Sequence, residues 1–352
     1  MEKTELAAVP AGQVAAPAGD EDKIFAQMQQ ARSSITLFRR LTWWALALYP
    51  LEFLVMFTIP EAFSFVSDAD TGGMILFGFM IIAGPQVISH LFRMAASSSR
   101  RHYDEYSGVL KTAVVRGRLE EAFKNGPFAN TVYEPDKGLS KEEIQGLNFF
   151  AHADFYSSDD RIEGEYENLR FSHTDCSLVR EETHTDKDRD YKVEIDVFRG
   201  RVLRFPFGKP FPGDLRIVSR NFAGAAYESY SMVTVMGKKR VQSAAMAGWE
   251  NVETESFAFN EEYVCFAKDP VAALVILKPQ VIAKIFDLRE RFKLPLALYF
   301  RGDEVFAFLH TGMDTFAVDP RRTLEEEKEK VDWDIKLMVA FLEVMSDVLP
   351  GN

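Results

Sequence analysis

Two long apolar runs near the start of the chain, 41–59 (LTWWALALYPLEFLVMFTI) and 74–92 (MILFGFMIIAGPQVISHLF), constrain its fold more than any other feature. Each holds 19 residues, so as a helix rising ~1.5 Å per residue it spans roughly 28 Å, close to the ~30 Å hydrocarbon core of a bilayer. Apolar runs of buried core helices are usually ~10–14 residues long, so the two runs predict a transmembrane hairpin. Arg32, Arg39 and Arg40 precede the first run, and Arg93, Arg100 and Arg101 follow the second. The connection, 60–73, carries Glu61, Asp68 and Asp70 and no Lys or Arg. Positive residues stay on the cytoplasmic side, which puts both ends inside and the short connection outside. Trp43 and Trp44 fall where an interfacial aromatic belt belongs. No cleavable signal peptide is expected, because no basic stretch runs straight into an apolar core.

Glu52 stands out within the first run, since a carboxylate near mid-membrane costs a few kcal/mol and marks a functional suspect. His90 is not its partner: Glu52 lies about 16 Å deep and His90 about 3 Å deep from the cytoplasmic ends of their helices. Glu52 is expected to be protonated or to sit in a helix contact between copies, with a proton or ion path as the alternative. Pro50 and Pro85 are tolerable where neighbouring helices re-satisfy the freed backbone groups.

The 352 residues carry a formal net charge of −12, and 103–352 alone hold 33 Lys and Arg against 44 Asp and Glu. So acidic a domain is a poor nucleic-acid binder, because that function rests on phosphate neutralisation. Cys176 and Cys265 have no metal-binding spacing and read as small buried hydrophobes in a reducing compartment.

Residues 1–21 are rich in Ala, Pro and Gly and predict a disordered cytoplasmic tail. From 22 to 40 the spacing of Ile24, Met28, Ala31, Ile35 and Phe38 predicts a juxtamembrane helix, lying on the membrane or packed on the helix that follows the second span. That following helix is expected over 93–124, with Tyr103, Tyr106, Leu110, Ala113 and Val114 on one side. An α+β cytoplasmic domain, mostly antiparallel, is expected over 125–320, able to fold without the hairpin. It opens with a short helix at SKEEIQGLNFF, where Ser140 and Glu143 have capping-box spacing. Alternating strands fill 153–219, with the charged THTDKDRD as a hairpin loop. Residues 224–248 predict a loop or irregular crossing that exposes Lys238, Lys239 and Arg240. EYVCFAK follows as a strand, then a helix from Lys278 to Phe292 with Pro279 in its first turn, then a hairpin of LALYF and VFAFLH. The last helix, in 321–352, spaces Val331, Ile335, Met338, Leu342, Met345 and Leu349 as a heptad seam that packs on the domain's own sheet or on another copy.

No local signature for a familiar chemistry is present: G-x-x-x-x-G-K-[ST], H-E-x-x-H, G-x-S-x-G and C-x-x-C are all missing. In GKPFPGD, Pro210 and Pro212 remove donors that a phosphate cradle needs. The acidic group Asp154, Asp159, Asp160, Glu163 and Glu165 is the best candidate for a metal site or an acid/base pair, with Asp154, Asp160 and Glu163 foremost as ligands. On a strand, Glu163 and Glu165 share one face and Ile162, Gly164 and Tyr166 the other, which also fits an ordinary half-buried strand. His152, His173 and His184 lie near in sequence without ligand spacing. No cofactor is expected.

The succession YEPDKGLSKEEI, SSDDRIEGEYENLRFSHTD, VFRGRVLRFPFGKPFPGDLRIV, FNEEYVCFAKDPVAALVILKPQVIAKIFDLRERF and LALYFRGDEVFAFLH before DTFAVDP resembles the bacterial family catalogued as Domain of Unknown Function 3137, over roughly residues 95 to 320. The resemblance implies a bacterial inner-membrane protein with two membrane helices before a cytoplasmic domain, and no catalytic residues to carry over. Within the matching motifs stand Asp160, Ile162, Gly164, Gly200, Phe211, Gly213 and Pro279; 224–248 departs from the pattern. The function expected is a membrane-anchored scaffold or adaptor. Its partners are the bilayer and a protein bound by the domain, with homo-oligomers through the membrane helices or the C-terminal helix. A metal-dependent hydrolase built on 154–165 and a membrane sensor working through Glu52 are the alternatives.

Overall fold

A computed structural model describes residues 21–58, 71–186, 189–206, 210–211, 213–222, 229–235, 238–245, 248–319 and 321–348; side chains at 48–58, 71–83, 186, 189, 229–245 and 347–348 fall outside that description. The predicted tail and most of the external connection therefore lie outside the described residues. The chain divides into two compact units, one of 115–317 and 328–348, the other of 21–114 and 318–327.

In the second unit, α1 (Glu21–Thr58) merges the predicted juxtamembrane helix and first span into one helix. α2 (Thr71–Asn125) likewise runs unbroken through the second span and the helix after it, Pro85 included. Buried and half-buried positions recur at 28, 31, 35, 38, 42 and 45 on α1, and at 85, 89, 92, 96, 99, 103, 106 and 110 on α2. These alternating three- and four-residue steps are the spacing of a coiled-coil seam. Phe38 stacks on Phe92 with ring centroids 6.4 Å apart. The contact lies about as far before the end of α1 as after the start of α2, so the helices run antiparallel. Thr42, Ala45, Ser89 and Ala96 keep the seam thin near the apolar runs. Among the described residues no helix is long and apolar enough to cross a membrane. Much of both apolar runs, Glu52 included, lies at positions whose side chains are outside the description, so the predicted spans find no support there.

The first unit is α+β, built on a nine-stranded sheet in the order β1-β2-β3-β4-β11-β10-β5-β9-β8 with every pair antiparallel. The strands are β1 (Phe128–Glu134), β2 (Phe155–Tyr166), β3 (Leu169–Asp186), β4 (Arg189–Pro206), β5 (Leu215–Ser219), β8 (Glu250–Val252), β9 (Tyr263–Ala267), β10 (Leu296–Arg301) and β11 (Glu304–His310). Among the described residues β6 (Ser229–Val235) and β7 (Lys238–Ala245) pair only with each other, so much of 224–248 is a hairpin rather than an irregular crossing. β5, β9 and β10 are buried along almost their whole length, because both faces of the sheet are covered there. That is why LALYF and YVCFA read as continuous apolar runs, whereas β2 alternates.

α3 (Lys141–Gly146) has its capping box formed: Glu143 N–H donates to Ser140 Oγ at 3.1 Å and Ser140 N–H to Glu143 Oε2 at 2.7 Å. After it, Phe149 and Phe150 reach one face of the sheet and pack with Phe198, Phe222 and Phe308, the Phe149 and Phe308 rings stacked at 4.4 Å. Arg216 lies beside Phe149, Trp249 and Tyr299, 4.6 Å from the Trp249 ring centre, and donates to Asn148 O. The other face carries Ile162, Leu203, Phe205, Ala307, Leu298, Ile217 and Cys265 in register.

α4 (Phe257–Glu262) and α5 (Pro270–Ile276) flank β9. α6 (Pro279–Phe292) starts on Pro279 as expected, and its Phe286 meets Tyr263 edge-on. α7 (Leu324–Val348) lays Phe341 on Phe205 at 6.4 Å. Leu337, Phe341 and Val344 are buried along with the predicted seam of Val331, Ile335, Met338, Leu342 and Met345. The apolar stripe is wider than a two-helix seam because it covers a sheet.

Candidate functional site

The strongest concentration of buried polar chemistry lies where β2 breaks its register. β2 and β3 pair regularly up to Asp159–Asp175 and resume at Ile162–His173, leaving a bulge between. Inside it Asp160 takes φ +55°, a backbone an L-residue holds only where its surroundings insist. Asp160 N–H donates to Pro135 O and Arg161 N–H to Lys137 O, both at 3.0 Å, so the bulge is tied to the turn after β1. Tyr133 Oη donates to Asp160 Oδ1 at 2.8 Å, and burial with the adjacent carboxylate pushes the phenol far up.

The period-two geometry of β3 aims His173 and Asp175 to the same side as Ile162, into the interior. Asp175 accepts from Thr315 N–H and from Thr315 Oγ1, each at 2.9 Å. Burial raises its carboxyl to about 7; the Thr315 bonds oppose this, and Asp314 and Asp159 add to it. His173 is fully buried, and neither ring nitrogen has an ordinary hydrogen bond among the described residues. Burial, then the nearby Arg201 guanidinium, lowers it to about 3 against a small opposing effect of the Asp160 main chain, so the imidazole is neutral. Beside it, Arg201 on β4 forms a buried ion pair with Asp334 on α7 and donates to Asp334 O at 2.6 Å. Burial lowers the Arg201 pKa, against the pull of Asp334 and Asp175. Phe316 N–H reaches Asp334 Oδ2 at 3.4 Å, with Phe316 itself buried at φ +58°.

Beside this layer, one carboxylate oxygen each from Asp159, Asp160 and Asp314 come within 4.8 Å of one another. Asp159 and Asp314 edge a cavity of about 350 Å³ that also reaches Asp175, Cys176 and Arg199. Three converging carboxylates are the donor type a hard divalent cation takes.

The predicted acidic group does not converge as a whole. Asp154 is turned away, accepting from Glu181 N–H at 2.8 Å, which holds its carboxyl low, with His152 at 3.3 Å adding to this. Glu163 pairs with Arg161 and Glu165 with Arg170, on the face opposite Ile162, as their alternation predicts. Of the predicted set only Asp159 and Asp160 meet, and Asp314 joins them from 154 residues away, with no local signal. His152 and His184 are exposed. Cys176 and Cys265 are buried free thiols.

The other motif residues are placed by packing. A Cβ on Gly200 would fall 2.0 Å from Leu309 O, and one on Gly164 2.8 Å from Thr131 Cγ2. Phe211 meets Phe300 edge-on at 5.0 Å, and Gly213 abuts Asp269.

Residues 196–347 match the family model described as Protein of unknown function (DUF3137). Gly200, Phe211, Gly213 and Pro279 fall inside that stretch, as do β6 and β7; Asp160, Ile162 and Gly164 precede it. No curated protein matches. Among solved structures, the crystal structure of the mycobacterial trehalose monomycolate transport factor A, TtfA, aligns over 70% of this chain and 97% of that one at 6% identity and a TM-score of 0.34. That likeness is too slight to carry anything over.

Proposed function

We propose, for a chain whose residues 196–347 match the DUF3137 family model, a membrane-anchored interaction module: α1 and α2 hold it in a bilayer and the α+β unit binds a protein partner on the cytoplasmic side. The observation that carries the anchor is a collar of exposed apolar side chains. Leu37, Trp43 and Trp44 on α1 and Val87, Ile88, Leu91 and Met94 on α2 all face outward, Trp44 at 72% exposure. The Phe38–Phe92 contact puts both groups at one level of the hairpin. Moving each such side chain out of water gains roughly 1.5–3 kcal/mol, which a lipid surface supplies. Arg39, Arg40 and Arg93 are exposed at the same level, the arrangement of an interface with anionic headgroups. Location in a bacterial inner membrane with both termini inside extends this reading.

Membrane pellets washed with alkaline carbonate test the anchor: the chain stays in the pellet, and a cysteine placed in 60–70 is labelled only from outside. Release into the supernatant rejects it. The partner is sought by co-purification of the full chain from native membranes.

The convergence of Asp159, Asp160 and Asp314 favours a second reading, a divalent-cation site that could serve a hydrolase. Calorimetry with Mg²⁺, Mn²⁺ and Ca²⁺ decides it, since binding must vanish in Asp159→Asn. The sensor reading through Glu52 is tested by Glu52→Gln, which must change phenotype at equal abundance.

A further inference from the structure

β3 and β4 continue past their neighbours as a two-stranded arm. β2 stops pairing with β3 at Phe155–Val179, and β11 stops pairing with β4 at His310–Gly200. Beyond these points, among the described residues, β3 and β4 pair only with each other, out to Asp186–Arg189. The charged stretch that reads as a hairpin loop is thus strand at six of its eight positions. It is held across the ribbon by Lys192 to Glu181 at 2.6 Å, Thr185 to Asp190 at 2.7 Å and the His184–Tyr191 stack.

An isolated ribbon of this kind is marginal in water, and a third strand is what stabilises it. Among the described residues no strand pairs with the outer edge of β4 from Asp190 to Asp196. That edge alternates strictly: Tyr191, Val193 and Ile195 share one face, while Asp190, Lys192, Glu194 and Asp196 share the other. Tyr191 is half exposed, and Val193 and Ile195 are partly so.

The geometry points to a second copy of this chain as the missing strand, with β4 pairing antiparallel to β4 about a two-fold axis through Val193. In that register Val193 opposes its own counterpart, and Tyr191 opposes Ile195 of the second copy, twice. Aromatic with β-branched residues is a favoured cross-strand combination. On the other face Lys192 opposes Glu194 of the second copy, also twice. A lysine in mid-strand normally keeps a sheet edge from pairing, because no partner neutralises it. Here Lys192 is held by Glu181 of its own chain and the two-fold adds Glu194 of the second copy, so the guard becomes a selector. Moving the axis one residue either way sets Lys192 against Lys192 or Glu194 against Glu194, which penalises every neighbouring symmetric register. At the ends Asp190 would face Asp196, but Asp190 is already held by Thr185 and Asp196 by Arg199 at 2.9 Å.

The test uses the full chain in detergent or nanodiscs. Oxidation of Val193→Cys gives a disulfide-linked dimer. The wild type, whose two cysteines are buried, and Thr183→Cys on the other side of the arm do not. Mixing Lys192→Cys with Glu194→Cys also cross-links, as the register requires. Lys192→Glu raises the dimer dissociation constant about tenfold, and adding Glu194→Lys restores it. The inference is overturned if Val193→Cys stays uncross-linked, even in a sample that is dimeric by light scattering. It is equally overturned if the charge swap fails to restore the dimer.

Discussion

His173 and Asp175 sit two residues apart on one face of β3 and make opposite demands on pH, so their effects should cancel in the wild type and appear when either is removed. Asp175 is raised from an ordinary value near 4 to about 7, so between those pH values the folded chain keeps a proton that the unfolded chain has lost. Its contribution is fully present below pH ~4 and is lost as pH rises to 7; about 3 units at ~1.4 kcal/mol each make roughly 4 kcal/mol. His173 is lowered from about 6.5 to about 3, so across that span the unfolded chain holds the proton instead. Its contribution is complete above pH ~6.5 and is lost as pH falls to 3, roughly 5 kcal/mol in all. Between pH 4 and 6.5 the two slopes oppose and nearly cancel. Asp175→Asn, which leaves an oxygen for Thr315 N–H, should uncover a stability that climbs by about 1.4 kcal/mol per pH unit from 4 to 6.5. His173→Met, which suits the apolar neighbours Leu203 and Phe316, should uncover a fall of similar steepness. Urea midpoints of the purified chain at pH 4, 5, 6 and 7 give all three profiles. A flat profile in Asp175→Asn, or slopes of the same sign in both variants, would refute the assignment of these two groups as a buried opposed pair.

Gly200→Ala should leave the chain unfolded or insoluble, because the new Cβ would fall 2.0 Å from Leu309 O in the β4–β11 ladder; soluble yield and circular dichroism report it. Arg201→Met should cost roughly 3–5 kcal/mol in urea unfolding by stranding the buried Asp334 carboxylate, whereas Arg201→Met with Asp334→Leu should recover a large part of that loss.

Local signals in the sequence were sound where one segment decides its own structure. Ser140 and Glu143 form the capping box their spacing predicts, Pro279 opens α6, and LALYF and VFAFLH pair across Arg301–Asp303 as read. The alternation of β2 places Glu163 and Glu165 opposite Ile162 as it should. Charge misled. THTDKDRD reads as a loop, yet cross-strand pairs keep six of its eight residues extended. Arg201 is buried because Asp334, 133 residues later, brings an opposite charge to it, and no local pattern announces that pairing. His173 and Asp175 were legible in principle, since they share a side with Ile162 and Phe171, but an alternation rule that equates polar with exposed hides them. Asp314 joins the acidic trio from a loop after β11, and no window along the sequence contains both partners.

The division of the chain into two units has a practical consequence for anyone cutting it. Because 318–327 belongs with the helices of 21–114 while 328 onward returns to the sheet, the backbone passes between the units three times. A truncation starting after Val114 would look like a clean excision of the α+β unit. It would in fact carry along a ten-residue excursion stripped of its neighbours, among them the Tyr103 hydroxyl, whose pKa is raised by burial and also by Asp319 and Glu327. Poor behaviour of such a fragment would say little about whether the sheet can fold. A cleaner excision also replaces 318–327 with a short flexible linker of comparable span.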